Sequence, residues 1–152
     1  MTLEQMETSA WLNRAFYKDK KVKALRSLLK RDRARAQGLA VNYRSMDKGR
    51  SDSRENGVET ALQICAETSE AYDKALCEYD TIRREVSQII NKLNDDALEA
   101  LLTYRYLEGL PMEEIAERMH YSVRSVKYKH KQALDKVCTL LHPFALYCTL
   151  DL

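Results

Sequence analysis

Residues 110–134, LPMEEIAERMHYSVRSVKYKHKQAL, carry the clearest structural signal in the sequence. An acidic segment that begins at Pro111 runs through the short sequence HYS into a segment rich in Arg and Lys. Proline is favoured at the first position of a helix, because its missing N–H would have no partner there. Ser122 is a good N-cap for the second segment. The pattern therefore predicts two short helices joined by a tight turn.

The second of these helices is predicted to be amphipathic. At about 100° per residue, its apolar stripe consists of Val126, His130, Ala133, Val137 and Leu140. Its opposite side carries Arg124, Lys127, Tyr128, Lys131 and Asp135. Residues 122–137 hold five basic residues against Asp135 alone, a net charge of +4. A buried stripe opposite a cationic face with a tyrosine is what a helix in the major groove of DNA requires.

The first helix of the pair supplies the packing surface. Ile115, Ala116 and Met119 share one face of it, and Ala116 is small where the second helix must approach closely. Residues near the N-terminal end of the second helix are expected to read base edges, and its lysines to contact phosphates. His130 lies on the apolar stripe and is interpreted as a packing residue rather than a catalyst. Together these features predict a helix-turn-helix that binds double-stranded DNA.

Upstream, the apolar pattern predicts two long helices separated by a polar loop. The first runs from Leu3 to about Leu39 with a stop at Gly38, and its stripe consists of Leu12, Phe16, Val22, Leu25, Leu29, Ala36 and Leu39, interrupted by Asp19 and Asp32. Residues 44–57 contain two glycines and no apolar periodicity, which predicts a flexible loop. The second helix spans Val58 to Leu93. Its heptad-like seam, typical of coiled-coil packing, consists of Val58, Leu62, Cys65, Ser69, Tyr72, Leu76, Tyr79, Val86, Ile90 and Leu93.

Charge favours the pairing of these two helices. Residues 14–35 hold ten Lys or Arg against two acids, a net charge of +8, and residues 55–99 hold eleven acids against four basic residues, a net charge of −7. We expect an antiparallel hairpin in which these stretches face each other, and we prefer this to contact between the first helix and phosphates.

The remaining elements complete an all-α chain. Asn94 or Asp95 is expected to cap a short amphipathic helix that ends at Gly109. The predicted domains are a helical hairpin over residues 1–93, a helix-turn-helix domain over residues 94–142 and a C-terminal tail over residues 143–152.

The segment LEGLPMEEIAERMHYSVRSVKYKHKQALDKV resembles the fourth region of bacterial sigma factors, and more closely the phage and prophage regulators of the ArpU and RinA type. The resemblance is specific over about residues 94–138 and looser before them. It implies a transcriptional regulator of phage late or packaging genes that meets RNA polymerase at a promoter. It also implies that Val123, Arg124, Lys127 and Tyr128 face the promoter. With Ser122 and Lys131, these are the predicted DNA-binding residues.

Three positions depart from the sigma-type pattern. Arg124 stands where sigma factors often have an acid, so we expect a different target sequence. His120 fills a turn position that usually prefers glycine, and a positive φ is uncommon but tolerable for histidine. Lys129 replaces an apolar residue, so we expect either a looser helix or a packed stem whose amine reaches solvent.

The sequence contains few motifs that would indicate another class of function. Motifs of metalloproteases, phosphate-binding loops and serine hydrolases are missing, so neither an enzyme nor a cofactor is predicted. Cys138 and His142 lie four residues apart, as metal ligands on a helix do, but a core cysteine near a helix end is the preferred interpretation. No run of about 18 apolar residues occurs, and the acidic N-terminus lacks an apolar signal core, so we expect a cytoplasmic protein outside the membrane.

Two alternative functions remain open at this point. One is a DNA-packaging subunit like the small terminase, which also combines a helix-turn-helix with coiled-coil assembly. The other is a helical module whose last helix binds a protein. Homodimerisation through the helical hairpin is a further expectation.

Overall fold

The computed structural model describes residues 1–45 and 52–142, and within these ranges the chain is helical without a β-strand, as the sequence predicts. The predicted tail over residues 143–152 lies outside the described residues. The elements are α1 (Leu3–Ser45), α2 (Asp52–Asn91), α3 (Asp96–Leu102), a π-helical turn (Thr103–Leu107), α4 (Met112–Met119) and α5 (Val123–Leu141). In the described part of the chain, no helix has the length and apolar content needed to cross a membrane.

The two long helices extend further than the sequence predicts. α1 continues through Gly38 to Ser45, and α2 begins at Asp52 instead of Val58. The predicted loop over residues 44–57 is therefore wrong at both of its ends, and its centre, residues 46–51, lies outside the described residues. A glycine inside a helix costs only about 1 kcal/mol relative to alanine. Packing between two long helices offsets that cost, because tertiary contacts supply most of the stability of helices in proteins.

The chain divides into two compact units, and each contains part of both long helices. The first comprises Met1–Tyr17 and the described residues from Asp80 onward, and the second comprises Lys18–Tyr79. The domain limits expected from the sequence, 1–93 and 94–142, do not follow this division. The reason is that the start of α1 and the end of α2 pack with the C-terminal helices in one core.

The Lys18–Tyr79 unit is an antiparallel pair of helices. Lys18 forms an ion pair with Glu78, and the Thr68 hydroxyl donates a hydrogen bond of 2.8 Å to Asp32. Every seventh residue is buried in each helix: Val22, Leu29 and Ala36 in α1, and Ala61, Thr68 and Ala75 in α2. Each of these α1 positions lies on the predicted stripe, and Asp32 interrupts that stripe as expected.

The buried line of α2 in this unit lies one residue before the predicted seam. Leu62 is 55% exposed, whereas its neighbour Ala61 is buried. The prediction followed the larger apolar side chains, but small residues let two helices approach more closely. Coiled-coil packing between α1 and α2 stays a prediction.

The first unit holds the larger core. Its fully buried side chains come from all six helical elements and include Leu12, Val86, Ile90, Leu101, Leu102, Tyr106, Ile115, Val126, Leu134 and Val137. Arg14 and Glu85 form an ion pair of 3.1 Å between α1 and α2 within this unit. The first four turns of α1 are thus a structural part of the domain that contains α4 and α5.

Candidate DNA-binding site

The turn between α4 and α5 has the geometry of a helix-turn-helix. His120 adopts the left-handed conformation, with φ 56° and ψ 39°. Its N–H donates to the Glu117 carbonyl, and the Tyr121 N–H donates to the Ala116 carbonyl at 3.0 Å. This pair of bonds is the Schellman motif, which satisfies the last carbonyls of α4 and reverses the chain. The expected positive φ of His120 is confirmed.

Ser122 begins α5 as its N-cap. Its hydroxyl accepts a hydrogen bond of 3.2 Å from the Ser125 N–H and lies 2.8 Å from the Ser125 hydroxyl. The predicted cap is therefore confirmed. Because the α4 residues Ile115 and Ala116 are both buried beneath α5, the angle at which α5 leaves the turn is set by packing as well as by the cap.

The apolar face of α5 lies in the core. Val126, Ala133, Leu134 and Val137 are fully buried, and His130 is buried with them as predicted. Leu140 was expected on the same stripe but is 37% exposed, because it lies in the last turn of the helix. The length of α5 that is anchored to the domain therefore runs from Val126 to Val137.

The outward face of α5 brings together four of the six predicted DNA-binding residues. Arg124, Lys127, Tyr128 and Lys131 are all exposed, at spacings of three and four residues that place them on one side of the helix. Tyr128 is 64% exposed. Within the described residues, none of the three cations forms an ion pair, so their charges are available to a ligand.

The other two predicted residues are placed differently. Ser122 is exposed, but its hydroxyl is engaged in capping. Val123 is half-buried and packs against the core. Lys129 is half-buried, with its ammonium 5.2 Å from the centre of the Tyr121 ring, an arrangement typical of a cation–π contact. The half-buried position of Lys129 agrees with a side chain that packs beside the turn, the second of the two expectations.

Asp135 was predicted to lie on the outward side of α5 with these cations. The Gln5 side chain donates a hydrogen bond of 2.6 Å to its carboxylate, which links α5 to the start of α1. The next residue, Lys136, pairs with Asp95 at 3.5 Å. Both contacts tie the C-terminal half of α5 to the domain, while its N-terminal half presents free cations.

A buried polar chain was missed at the sequence level. The Ser9 hydroxyl, the Tyr106 hydroxyl and Nε2 of His130 follow one another at 2.9 Å each, joining α1, the π-helical turn and α5. Burial, and after it the positive charge of Arg105, lowers the pKa of His130 to about 4. The neutral imidazole can then accept a hydrogen bond from the Tyr106 hydroxyl at Nε2. No local signal in the sequence indicates this chain, since its members lie up to 121 residues apart.

The π-helical turn brings Tyr106 into position. The Glu108 N–H donates to the Thr103 carbonyl at 3.1 Å, a bond five residues long that widens the helix by one residue. The segment ends at Gly109, as predicted, with φ 76°. A Cβ at Gly109 would lie 2.4 Å from the Phe16 ring, so both the backbone conformation and the close approach require glycine there.

Among the described residues, no group of three or more His, Cys, Asp or Glu side chains is arranged to hold a metal ion. What the arrangement can do is present an unpaired cationic face, rigidly mounted on a core, to a polyanion. A helix held in this way by a preceding helix and a tight turn is the DNA-reading element of helix-turn-helix proteins.

Comparison with known proteins agrees with this geometry over part of the chain. Searches of curated proteins and of solved structures give no significant match. A family model described as "Sigma-70, region 4" matches residues 83–137, which include the end of α2 and all of α3, α4 and most of α5. Residues 83–137 therefore form a helix-turn-helix domain similar to region 4 of sigma-70.

Proposed function

We propose that this chain is a sequence-specific DNA-binding regulator of transcription. The observation that carries the proposal is the outward face of α5, where Arg124, Lys127, Tyr128 and Lys131 are exposed on a sigma region-4-like helix-turn-helix. Arg124 lies in the first turn of α5, where its planar fork suits the O6 and N7 edge of guanine. The lysines further along α5 suit phosphates.

We further propose that the regulated genes are phage late or packaging genes and that the protein acts with RNA polymerase in the cytoplasm. The support is the resemblance of residues 94–138 to regulators of the ArpU and RinA type. A regulator at a promoter needs only DNA and polymerase as partners, and the proposed site requires no cofactor.

The first test is selection of bound fragments from a random library of DNA duplexes by the purified full-length protein. We expect one enriched motif with the wild type and loss of that motif with the Arg124→Ala, Lys127→Ala double variant. A second double variant, Lys21→Ala with Arg31→Ala, removes the same charge from α1 and should keep the motif. Enrichment without any motif, or equal loss in both variants, would contradict sequence-specific reading by α5.

The second test concerns transcription. A template that carries the selected motif upstream of a promoter is transcribed by bacterial RNA polymerase with and without the protein. We expect transcript levels to change with the wild type and to stay constant with the α5 double variant. A ring-shaped oligomer that binds the motif but leaves transcription unchanged would favour the packaging subunit, and failure to bind any duplex would favour a protein-interaction module.

We also propose that the protein forms a homodimer through the Lys18–Tyr79 unit. In support, a groove between its two helices is lined by Leu39, Ala61 and Ile64, and Ile64 is 43% exposed. Covering this side chain with a second copy would remove it from water. The mass in solution tests the proposal: a dimer is expected for the wild type and a monomer for Ile64→Glu, with Gln63→Glu on the same helix as the matched control.

A further inference from the structure

The Lys18–Tyr79 unit carries cations that its own helices do not neutralise. Residues 18–45 of α1 contain two acids, and both are engaged elsewhere. Asp19 accepts a hydrogen bond of 2.6 Å from Lys23, and Asp32 accepts one from Thr68 at the helix interface. The ion pair between Lys18 and Glu78 lies at one end of the unit. These contacts do not involve the cations Arg26, Lys30 and Arg33, which lie further along α1.

Three of these cations form a row. Arg26, Lys30 and Arg33 follow one another at spacings of four and three residues and line a groove between α1 and α2. All three are exposed, and within the described residues none forms an ion pair. Asp73 is the one acid that lines the groove, and Gln37 and Ser69 add neutral polar side chains to it. We call this surface the basic groove.

The length of the basic groove suits a nucleic-acid strand. Arg26 and Arg33 are seven residues apart, which is about 10 Å along a helix that rises about 1.5 Å per residue, and the three positive charges are separated by about 6 and 4.5 Å. Phosphates on one strand of duplex DNA follow one another at about 3.4 Å along the axis, so a row of this length is long enough to meet three successive phosphates. Ser and Gln side chains are also common donors to phosphate oxygens.

The sequence favours pairing of the α1 charges with α2, but Arg26, Lys30 and Arg33 form no ion pair within the described residues. We propose that the basic groove binds the phosphate backbone of a DNA duplex, as a second contact surface besides α5. The inference rests on the proposed function only in choosing DNA as the polyanion. Because the groove offers charge and no arrangement for reading base edges, it adds affinity for every sequence equally. An acidic protein is the competing occupant, and the test below separates the two.

The test compares two triple variants of the full-length protein. The first replaces Arg26, Lys30 and Arg33 by Ala. The control replaces Lys20, Lys21 and Arg31 by Ala, which removes the same charge from exposed positions of α1 that line neither the basic groove nor the groove proposed for dimerisation. Both keep helix propensity high, since alanine is the best helix former. Helix content and the unfolding midpoint establish that each variant is folded.

The measurement is the affinity for a specific and a scrambled duplex at several salt concentrations. Each phosphate contact contributes a slope of about 0.9 to the dependence of log affinity on log salt. We expect the groove variant to lose a slope of roughly 2 to 3 on both duplexes, with the ratio of the two affinities unchanged. We expect the control to lose less than about 1.

Two outcomes would overturn the inference. Equal losses of slope in both triple variants would mean that DNA is attracted by net charge and not by the basic groove. An unchanged slope in the groove variant would mean that the groove does not contact DNA, which is the result expected if its partner is an acidic protein. The Arg124→Ala variant distinguishes failure of the inference about the basic groove from failure of the proposed function of α5. If Arg124→Ala leaves the ratio of specific to scrambled affinity unchanged while the groove variant loses salt slope, DNA binding by the groove is supported and sequence reading by α5 is contradicted.

Discussion

The phenol oxygen of Tyr106 lies 2.9 Å from Nε2 of His130, and their rings stack with centroids 5.8 Å apart. Both side chains are buried, at 1% and 8% exposure. The contact joins the π-helical turn to the centre of α5, directly behind the face that carries Tyr128 and Lys131. Since a buried donor or acceptor without a partner costs about 1–3 kcal/mol, the contact favours the orientation of α5 in which both groups are paired.

The first prediction concerns the pH dependence of stability. The pKa of His130 is about 4 in the folded protein, because of burial and then the charge of Arg105, against about 6.5 in an unfolded chain. Between these values the unfolded state binds a proton that the folded state does not bind. The free energy of unfolding should therefore fall as pH falls from about 6.5 towards 4, by roughly 1.4 kcal/mol per pH unit. Urea unfolding at several pH values in this range measures it.

The control for this prediction is His130→Gln. Glutamine does not titrate and can still hydrogen bond to the Tyr106 hydroxyl, so the variant should show a shallower dependence on pH between about 5 and 6.5. At higher pH, where His130 is neutral in both states, its contribution is fully present. Identical pH dependence in the two proteins would show that His130 does not remain unprotonated in the core.

The second prediction compares two glycines. Gly109→Ala places a Cβ at φ 76° and 2.4 Å from the Phe16 ring, so strain and overpacking should lower the free energy of unfolding by roughly 2–4 kcal/mol. Gly38→Ala is the matched control: it lies within α1 with no neighbouring atom within 4 Å. That variant should be more stable than the wild type by about 0.5–1 kcal/mol. Chemical denaturation distinguishes the opposite signs.

The third prediction concerns Ala116 in α4. Ala116 is 3% exposed in the core beneath α5, and Ala116→Leu should overpack this contact and cost about 1–3 kcal/mol. Ala24→Leu makes the same change on an exposed position of α1 and should alter stability by less than about 0.5 kcal/mol. Equal unfolding midpoints for the two variants would contradict the role of Ala116 in the helix-turn-helix.

Local signals were sufficient for the helix-turn-helix. The cap at Ser122, the left-handed His120, the buried Ala116 and the end at Gly109 each follow from residue type and spacing within a few positions. These features depend on hydrogen bonds and packing between near neighbours in sequence. The outward set of cations on α5 then follows from the apolar stripe alone.

What the sequence did not reveal depends on contacts between distant residues. Gln5 and Asp135 are 130 residues apart and meet at 2.6 Å, so the position of Asp135 on the outward side of α5 says nothing of its partner. The same holds for Ser9 with Tyr106. Ala61 is buried in α2 while Leu62 is exposed, because the buried position depends on how closely two helices approach. The size and hydropathy of the side chains do not specify that distance.

The last prediction distinguishes recognition of base edges from contact with phosphates by two residues of α5. Arg124 lies in the first turn of the helix, so Arg124→Ala should cost about 1–3 kcal/mol on the specific duplex and relax the preference at one base pair. Lys131 lies nearly two turns further on and should contact phosphate. Lys131→Ala should therefore weaken all duplexes equally and lower the salt slope by about one ion.

Titration of both variants on specific and scrambled duplexes, at several salt concentrations, gives the answer. Lys136→Ala is a suitable control, because Lys136 is paired with Asp95 and its loss should change the salt slope less than the loss of Lys131 does. If Arg124→Ala weakened both duplexes equally while Lys131→Ala changed the base preference, the two roles would be exchanged. If neither variant altered binding, DNA would have to meet another surface of the protein, because an unpaired cation at a DNA interface cannot be removed without a change in salt dependence.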